Sequence, residues 1–393
     1  MRNEPIMYLD NAATTNVLPE VIDAMLPYFD KVYGNPSSSY DFSVRSKTKV
    51  NECREIIAKS IGSKASEVFF TSGGSESDNW AIKGIADVNA GRHIITSKIE
   101  HHAVLNTCKY LEEKGFDVTY LDVDENGLVR PNVLKKAIRP DTFLISIMFA
   151  NNEIGTIEPI NELGKIAHEH NIIFHTDAVQ AYGQIPIDVE KSNIDLLSAS
   201  GHKLNGPKGI GFLYVRNGIN IGRIIHGGGQ ESGRRAGTEN VPSIVGFGKA
   251  CEIAMDTMEK RAEKEIILRD HMIDRILYEI PFSRLNGHRT KRLPNNVNIS
   301  FQFLRGESML VLLDMAGICA SSGSACSSDL AEPSHVLTAI GLPGNIAYGS
   351  VRMTLGYKNT MNEIDYAVDK IKEFAHKLRA VSPEYEDYMN GMI

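Results

Sequence analysis

Between residues 68 and 215, short runs rich in β-branched and aromatic residues alternate with longer amphipathic runs. The short runs have the composition of strands, and the runs between them have helical spacing. This alternation predicts βαβ units, which place mostly parallel strands in one sheet with helices on both faces, so the fold class is α/β. The predicted strands are 68–72, 93–97, 117–121, 143–149, 172–176, 195–198 and 211–215, and the predicted helices are 76–86, 101–114, 131–138 and 160–170.

The pattern changes after Asn240. A long helical stretch is followed by a strand signal and further helical signals, which predicts a second, smaller α+β domain. The signals lie at about 241–280 for the long helix, 296–301 for the strand, and 307–315 and 361–380 for the later helices. We expect an N-terminal segment at 1–15 that packs with the small domain, a large domain at 16–260 and a small domain at 261–393.

Charge and composition exclude several classes of protein. The net charge of -7 argues against a broad nucleic-acid footprint. No apolar run approaches the roughly 18 residues that span a bilayer, and the N-terminus lacks the apolar core of a signal peptide. Five cysteines without a C-x-x-C pair do not indicate a disulfide framework or a structural zinc site. We therefore expect a cytoplasmic protein with no membrane or nucleic-acid partner.

Familiar catalytic motifs are also absent from the sequence. The stretch 201–206 is followed by Pro207 instead of the lysine of a phosphate-binding loop. The stretch 227–229 has Ser232 where a dinucleotide fingerprint requires glycine. The histidine pairs lack the H-E-x-x-H spacing of zinc sites, and there is no G-x-S-x-G nucleophile motif. We predict no resident metal.

Chemically active residues follow the carboxyl ends of the predicted strands. Ligands of open α/β sheets bind at that edge, so these residues are expected to converge there. They are Gly74 and Ser75 after the first strand, His101 after the second, Asn152 after the fourth, Asp177 and Gln180 after the fifth, and Ser200, His202 and Lys203 after the sixth.

A lysine and an acid at one edge suit pyridoxal phosphate (PLP), whose enzymes need a Schiff-base lysine and an acid on the pyridine nitrogen. Lys203 and Asp177 fit these roles, with Lys208 as an alternative lysine. His101 can stack on the ring and transfer protons, and Gln180 can bond the ring hydroxyl. Each residue also has a structural reading, such as a helix cap for Asp177, but their joint order favours PLP.

A phosphate site is expected beside them. Gly74 and Ser75 open a helix, whose first N–H groups and dipole favour an anion. Ser200 and His202 can add a hydroxyl and an imidazole donor.

The order of motifs resembles that of NifS/IscS-type cysteine desulfurases, which are fold-type I PLP enzymes of the class V aminotransferase group. The resemblance runs from about residue 8 to about residue 357. It is carried by YLDNAATT, YGNPSS, FTSGGSESDN, EHHAV, NNEIGT, HTDAVQ, SASGHKLNGPKGIG, HGGGQESGRRAGTEN, SSGSACSS, EPSHVL and VRMTLG.

The resemblance implies roles for individual residues. Lys203 matches the Schiff-base lysine, Asp177 and Gln180 the partners of the ring nitrogen and ring hydroxyl, and His101 the stacking histidine. The phosphate site corresponds to Gly74, Ser75, Ser200 and His202.

Other matches concern the substrate and a second subunit. Asn152 and Arg352 match the groups that hold the substrate carboxylate, and Asn11 lies in the segment that lines its pocket. Thr238 matches a threonine that reaches the phosphate in the neighbouring subunit, which implies a homodimer with shared active sites.

Cys326 lies in a small polar loop and matches the catalytic cysteine. The resemblance implies removal of sulfur from L-cysteine to give L-alanine and a persulfide on Cys326. The loop between Cys326 and Glu332 is as long as in the NifS/IscS group, which predicts transfer of sulfur to an iron–sulfur scaffold or another acceptor protein.

Three alternatives stay open. An aminotransferase on the same fold needs no cysteine, so Cys326 argues against it. A selenocysteine lyase differs only in its demand for selenium. A sulfur-binding platform that has lost catalysis would not be expected to keep Lys203, Asp177 and His101.

Overall fold

The computed structural model describes residues 6–322 and 333–391. Its strands are β1 (Met7–Tyr8), β2 (Val68–Thr71), β3 (His93–Ser97), β4 (Asp117–Leu121), β5 (Thr142–Ser146), β6 (Ile173–Asp177), β7 (Leu196–Ser200), β8 (Gly211–Val215), β9 (Ser283–Leu285), β10 (Asn296–Phe301), β11 (Ile318–Cys319) and β12 (Ser350–Thr354).

The helices within the same ranges alternate with these strands in the first half of the chain. They are α1 (Pro19–Met25), α2 (Pro27–Asp30), α3 (Asp41–Ser60), α4 (Gly74–Val88), α5 (His102–Glu112), α6 (Pro131–Ala137), α7 (Ile160–Glu169), α8 (Val241–Glu279), α9 (Gly306–Met315), α10 (His335–Ala339), α11 (Gly344–Ala347), α12 (Met361–Arg379) and α13 (Pro383–Met389).

A seven-stranded sheet forms the centre of the molecule, in the order β2-β8-β7-β6-β5-β3-β4. Its strands are parallel except β8, which runs antiparallel to both β2 and β7. This confirms the prediction of a mostly parallel α/β sheet. Most of its strands are fully buried because apolar clusters cover both faces of the sheet.

The predicted strand 143–149 is longer than the observed β5, which ends at Ser146. Residues 147–149 are buried, and the N–H groups of Ile147 and Phe149 still bond to carbonyls of β6 residues. The apolar run therefore indicates which residues are buried and does not indicate where the strand ends. Burial continues past the last paired residue of β5, through residue 149.

A smaller sheet, β12-β10-β9, is antiparallel and has its own apolar cluster. Helix α8 is 39 residues long; residues of its first half join the cluster of the large sheet, and residues of its second half join that of the small sheet. At the N-terminus, β1 pairs with β11, and Met7 and Leu9 enter the small cluster. We propose domain limits at residues 15 and 260 on this basis.

No helix in the described ranges is long and apolar enough to cross a membrane.

Candidate active site

Lys203 ends a short 3₁₀ turn, Gly201–Lys203, that directly follows β7. Its Nζ donates hydrogen bonds to the carbonyl of Ala12 and, at 2.8 Å, to that of Ala13. Gln180 Nε2 donates to the same Ala12 carbonyl at 3.0 Å. The N-terminal segment therefore brings Lys203 and Gln180 together at the edge of the sheet.

Asp177 is the last residue of β6 and is 5% exposed. Its Oδ1 accepts a hydrogen bond from the backbone N–H of Val179 at 2.9 Å. Burial raises the pKa of Asp177, while His101 in its protonated form and the charge of Lys203 oppose that rise. Lys203 is thus the lysine whose charge acts on Asp177, whereas Lys208 is exposed and acts on His202.

His101 is the N-cap of α5, and its Nδ1 accepts a hydrogen bond from Ala103 N–H at 3.1 Å. One nitrogen of its ring, a carboxylate oxygen of Asp177 and one of Asp78 all lie within 4.8 Å of one another. Burial lowers the pKa of His101, and Lys203 lowers it further. Two carboxyl groups and an imidazole can bind a cation, but the charge of Lys203 disfavours a second cation there.

A cavity of about 460 Å³ opens beside these residues. The first turn of α4 forms one wall, and the N–H groups of such a turn have no acceptor inside the helix. The lining residues are Ala13, Thr14, Ser72, Gly73, Gly74, Ser75, Glu76, Ser200, His202, Lys208 and Gly209. All four residues predicted for the phosphate site therefore lie around one cavity.

His202 affects the charge of this cavity, and Gly73 affects the space inside it. Burial lowers the pKa of His202 to about 4, so its ring is neutral near pH 7, and its Nδ1 lies 3.1 Å from the hydroxyl of Thr14. Gly73 has φ +151°, and a Cβ added to it would meet only Ser200 Oγ, at 3.8 Å. A side chain there would occupy the cavity itself, so glycine keeps the space open.

These features fit PLP. The cavity offers free helix N–H groups, hydroxyls and a neutral imidazole to a phosphate. A buried carboxyl and a lysine stand side by side at the neighbouring strand ends, as the pyridine nitrogen and the aldehyde of the cofactor require.

Arg352 on β12 lies at a second part of the site and is 4% exposed. Its Nη2 forms an ion pair with Asp10 at 2.9 Å, and its Nη1 donates to the carbonyl of Asn152 at 3.0 Å. Among the described residues, its buried Nε has no hydrogen-bond partner. Arg352 and Asn152 are therefore adjacent, and the Nε–H of the guanidinium group is not used by the described residues.

The remaining predicted residues lie in different surroundings. Asn11 Nδ2 donates to the carbonyl of Thr354 at 2.8 Å, so its amide helps to fix the N-terminal segment on β12. Thr238 is exposed and does not line the cavity of the described chain. Cys326 lies outside the described residues.

Three residues of the site were not singled out by the sequence. Asp10 contacts Arg352, Thr14 contacts His202, and Asp78 lies beside Asp177. Asp10 and Thr14 belong to the motif YLDNAATT and Asp78 to FTSGGSESDN, so the motifs contained them. Nothing in a single sequence indicates which polar residue of a motif meets a residue far away along the chain.

Comparison with known proteins gives a consistent result. Residues 7–367 match the family model described as aminotransferase class-V. The chain is 57% identical to a protein named cysteine desulfurase IscS from Methanosarcina thermophila over 379 residues, which cover 96% of this chain and 94% of the relative.

Solved structures agree with the sequence comparison. A NifS-like protein superposes with a TM-score of 0.89 at 40% identity, covering 95% of this chain and all (100%) of that one. The structure described as SspA in complex with cysteine has a TM-score of 0.81 at 42% identity, covering 90% of this chain and 100% of that one.

Proposed function

This chain belongs to the class-V aminotransferase family and, within it, to the cysteine desulfurases, and from that premise we propose how its residues divide the reaction. The enzyme uses PLP and takes L-cysteine as its substrate. One observation best supports our assignment of residues. Lys203, Asp177 and His101 lie close enough for their charges to shift one another's pKa, and they lie beside a cavity that suits phosphate.

We assign the cofactor to this cavity and the adjoining strand ends. When bound, PLP withdraws electrons from the substrate, which makes the Cα proton acidic and weakens the Cβ–S bond. The α4 N-terminus, Ser200 and His202 bind the phosphate. Asp177, as a carboxylate, accepts a charge-assisted hydrogen bond from the protonated ring nitrogen, and Gln180 donates to the ring hydroxyl.

Proton transfer is assigned to Lys203 and His101. Lys203 removes the proton from the Cα of the substrate and returns a proton to the carbon skeleton. His101, whose lowered pKa keeps it neutral near pH 7, accepts the thiol proton of the substrate or donates one back. Arg352 and Asn152 hold the substrate carboxylate, and the unpartnered Nε–H of Arg352 is a donor suited to that task.

Cys326 is the proposed nucleophile. Its thiolate attacks the sulfur of the substrate, so an S–S bond forms as the Cβ–S bond breaks. The electron pair of the broken bond stays on the carbon skeleton, which is protonated and leaves as L-alanine. The sulfur remains on Cys326 as a persulfide, which passes to an acceptor thiol by exchange.

We also propose a homodimer whose active sites are shared through Thr238. Its exposure in the single chain supports this, because a residue that serves a partner subunit must be accessible before assembly. Hybrid dimers test the idea. A dimer of one Lys203→Ala subunit and one Thr238→Ala subunit has one intact site only if Thr238 acts in the opposite subunit. Recovery of about half the activity per dimer supports sharing, and no recovery contradicts it.

The acceptor is proposed to be an iron–sulfur scaffold or another sulfur carrier. A cytoplasmic location is proposed as well, and it is supported by the buried thiols of Cys53, Cys108 and Cys251, which form no disulfide and suit a reducing compartment.

A single-turnover assay tests the central proposal. The purified holoenzyme is mixed with L-cysteine without reductant, alanine is quantified, and Cys326 is analysed by peptide mass spectrometry. We expect about one alanine per subunit and one added sulfur on Cys326. The Cys326→Ser variant should retain the absorbance of bound PLP and form no persulfide.

Alternative outcomes point to the other functions. Alanine release by Cys326→Ser at the wild-type rate would contradict the persulfide step. Amino transfer to a keto acid without alanine from L-cysteine would indicate an aminotransferase. Turnover of L-selenocysteine alone would indicate a selenocysteine lyase, and PLP binding without any turnover would indicate a platform.

A further inference from the structure

Asp78 is a buried acid to which the proposed reaction gives no part. It lies in the second turn of α4 and is 1% exposed. A carboxylate oxygen of Asp78 lies within 4.8 Å of an oxygen of Asp177 and of a ring nitrogen of His101. Its Oδ1 is buried and has no hydrogen-bond partner among the described residues. The carboxyl group therefore lies next to the acid that we assign to the ring nitrogen.

Two carboxyl groups at this distance, both shielded from water, strongly disfavour a second negative charge near neutral pH. Glu100 adds a third buried acid close by; its Oε1 accepts hydrogen bonds from Ser97 Oγ at 2.6 Å and from Met148 N–H at 2.9 Å. Burial raises the pKa of Glu100 to about 8, so it too is protonated near pH 7. The three acids together therefore favour a single negative charge.

The surroundings decide where that charge resides. Asp177 accepts a hydrogen bond from the N–H of Val179 and lies close to the positive charge of Lys203. Asp78 has the hydroxyl of Ser198 as a hydrogen-bond partner among the described residues, and its pKa is raised well above the ordinary value by burial and by Asp177. The environment stabilises an anion at Asp177 and a neutral acid at Asp78.

The residues behind Asp78 offer no positive charge. His175 Nε2 lies 3.7 Å from Asp78 Oδ1 and 3.0 Å from Ser198 Oγ, and its Nδ1 lies 2.8 Å from Ser146 Oγ. Burial lowers the pKa of His175 to about 3, so the ring is neutral. A neutral chain of Asp78, Ser198, His175 and Ser146 therefore runs into the core.

We propose that Asp78 is a positioning residue that retains its proton, so that the one negative charge of the Asp78–Asp177 pair stays on Asp177, facing the ring nitrogen of the cofactor. This inference rests on the role of Asp177 in the proposed function. It gives α4 a second role, because the helix that begins at the phosphate cavity also carries the residue that would set the charge of the acid assigned to the ring nitrogen.

Infrared spectroscopy of the holoenzyme near pH 7 tests the proposal. The wild type should show C=O stretching bands of protonated carboxyl groups, and Asp78→Asn should lose one of them. Glu100→Gln is the matched control and should lose a different band. Ser198→Ala leaves Asp78 in place and should shift the Asp78 band, because the acid loses its hydrogen-bond partner; this variant decides the matter if Asp78→Asn does not fold.

Two results would overturn the proposal. One is a set of carboxyl bands that Asp78→Asn and Ser198→Ala leave unaltered. The other is a shift of more than about one unit in the absorbance titration of PLP in Asp78→Asn, because removal of a buried negative charge so close to Asp177 has at least that effect. Failure of the proposed function is seen separately: Asp177→Asn should weaken PLP binding at least about tenfold, and unchanged binding would refute the role of Asp177 whatever the Asp78 band does.

Discussion

Arg352 and Asp10 form an ion pair across 342 positions of sequence, with Nη2 and Oδ1 at 2.9 Å. The pair ties the N-terminal segment to β12 and fixes one edge of the guanidinium group. The carbonyl of Asn152 fixes another nitrogen, and the unpartnered Nε is left over. Asp10 therefore orients the arginine that we assign to the substrate carboxylate.

Asp10→Asn should raise the KM for L-cysteine about tenfold and change kcat less. A charge-assisted hydrogen bond contributes about 1.5–3 kcal/mol, and the asparagine keeps an acceptor but loses the charge. Steady-state kinetics measure this split. Asp122→Asn, which breaks an exposed ion pair with Lys98, is the control and should leave KM unchanged. A large KM effect in Arg352→Gln with none in Asp10→Asn would refute the orienting role.

The choice between two lysines gives a second prediction. The charge of Lys203 lowers the pKa of Asp177, whereas Lys208 lies exposed at the edge of the cavity. After borohydride reduction of the holoenzyme, peptide mass spectrometry should find the cofactor fixed to Lys203. Lys203→Ala should abolish this labelling, and Lys208→Ala should retain it. Labelling of Lys208 in the wild type would reverse the assignment.

Glu153 should make stability depend on pH. It is 4% exposed, Ser334 Oγ donates to its Oε2 at 2.6 Å, and burial raises its pKa to about 7. The unfolded chain, with a pKa near 4.5, releases this proton first as pH rises. The stabilisation is therefore complete below about pH 4.5 and is lost progressively as pH rises to about 7, after which it levels off.

Glu153→Gln removes that dependence because glutamine does not ionise. Its free energy of unfolding relative to the wild type should increase from about pH 5 to about pH 8, by at most about 3 kcal/mol. Urea unfolding at the two pH values measures the difference. A difference between variant and wild type that is independent of pH would contradict the raised pKa.

The buried cysteines should resist alkylation. Burial raises the pKa of Cys53 to about 11 and that of Cys108 to about 12. At about pH 8 their thiolate fractions are on the order of 10⁻³ and 10⁻⁴, and the thiolate is the reactive form. Iodoacetamide followed by peptide mass spectrometry should find both unmodified in the native protein and modified after unfolding. Rapid native labelling of either would show that these thiols are accessible.

Much of the fold could be predicted because the relevant signals are local. Strand-forming runs and helical spacing gave the βαβ order, and the bounds of β3, β4, β8 and β10 agree with the structure. The predicted strands 68–72, 172–176 and 195–198 differ from the observed bounds by one or two residues at an end. The strand 143–149 was predicted to end three residues too late, because apolar content indicates burial and does not indicate where regular strand pairing ends.

The candidate site, like the fold, could be predicted in part from the sequence. The sequence predicts that the residues at strand ends lie close together because a parallel sheet gathers those ends at one edge, and the structure brings Lys203, Asp177 and His101 together there. The roles of all these residues remain predictions. Thr238 lies apart from the cavity of the single chain, and Cys326 lies outside the described residues.

The sequence by itself determined the order of the main elements between residues 68 and 215, the residue types at the sheet edge and the family resemblance, since each depends on residues that are neighbours in the sequence. Only the tertiary structure decided three relationships. Asp10 pairs with Arg352, the charge of Lys203 and not that of Lys208 affects the pKa of Asp177, and Asp78 lies beside Asp177. The physical reason is that charge states and ion pairs depend on distance and burial. Both are set by packing between segments far apart in the chain, which local sequence does not record.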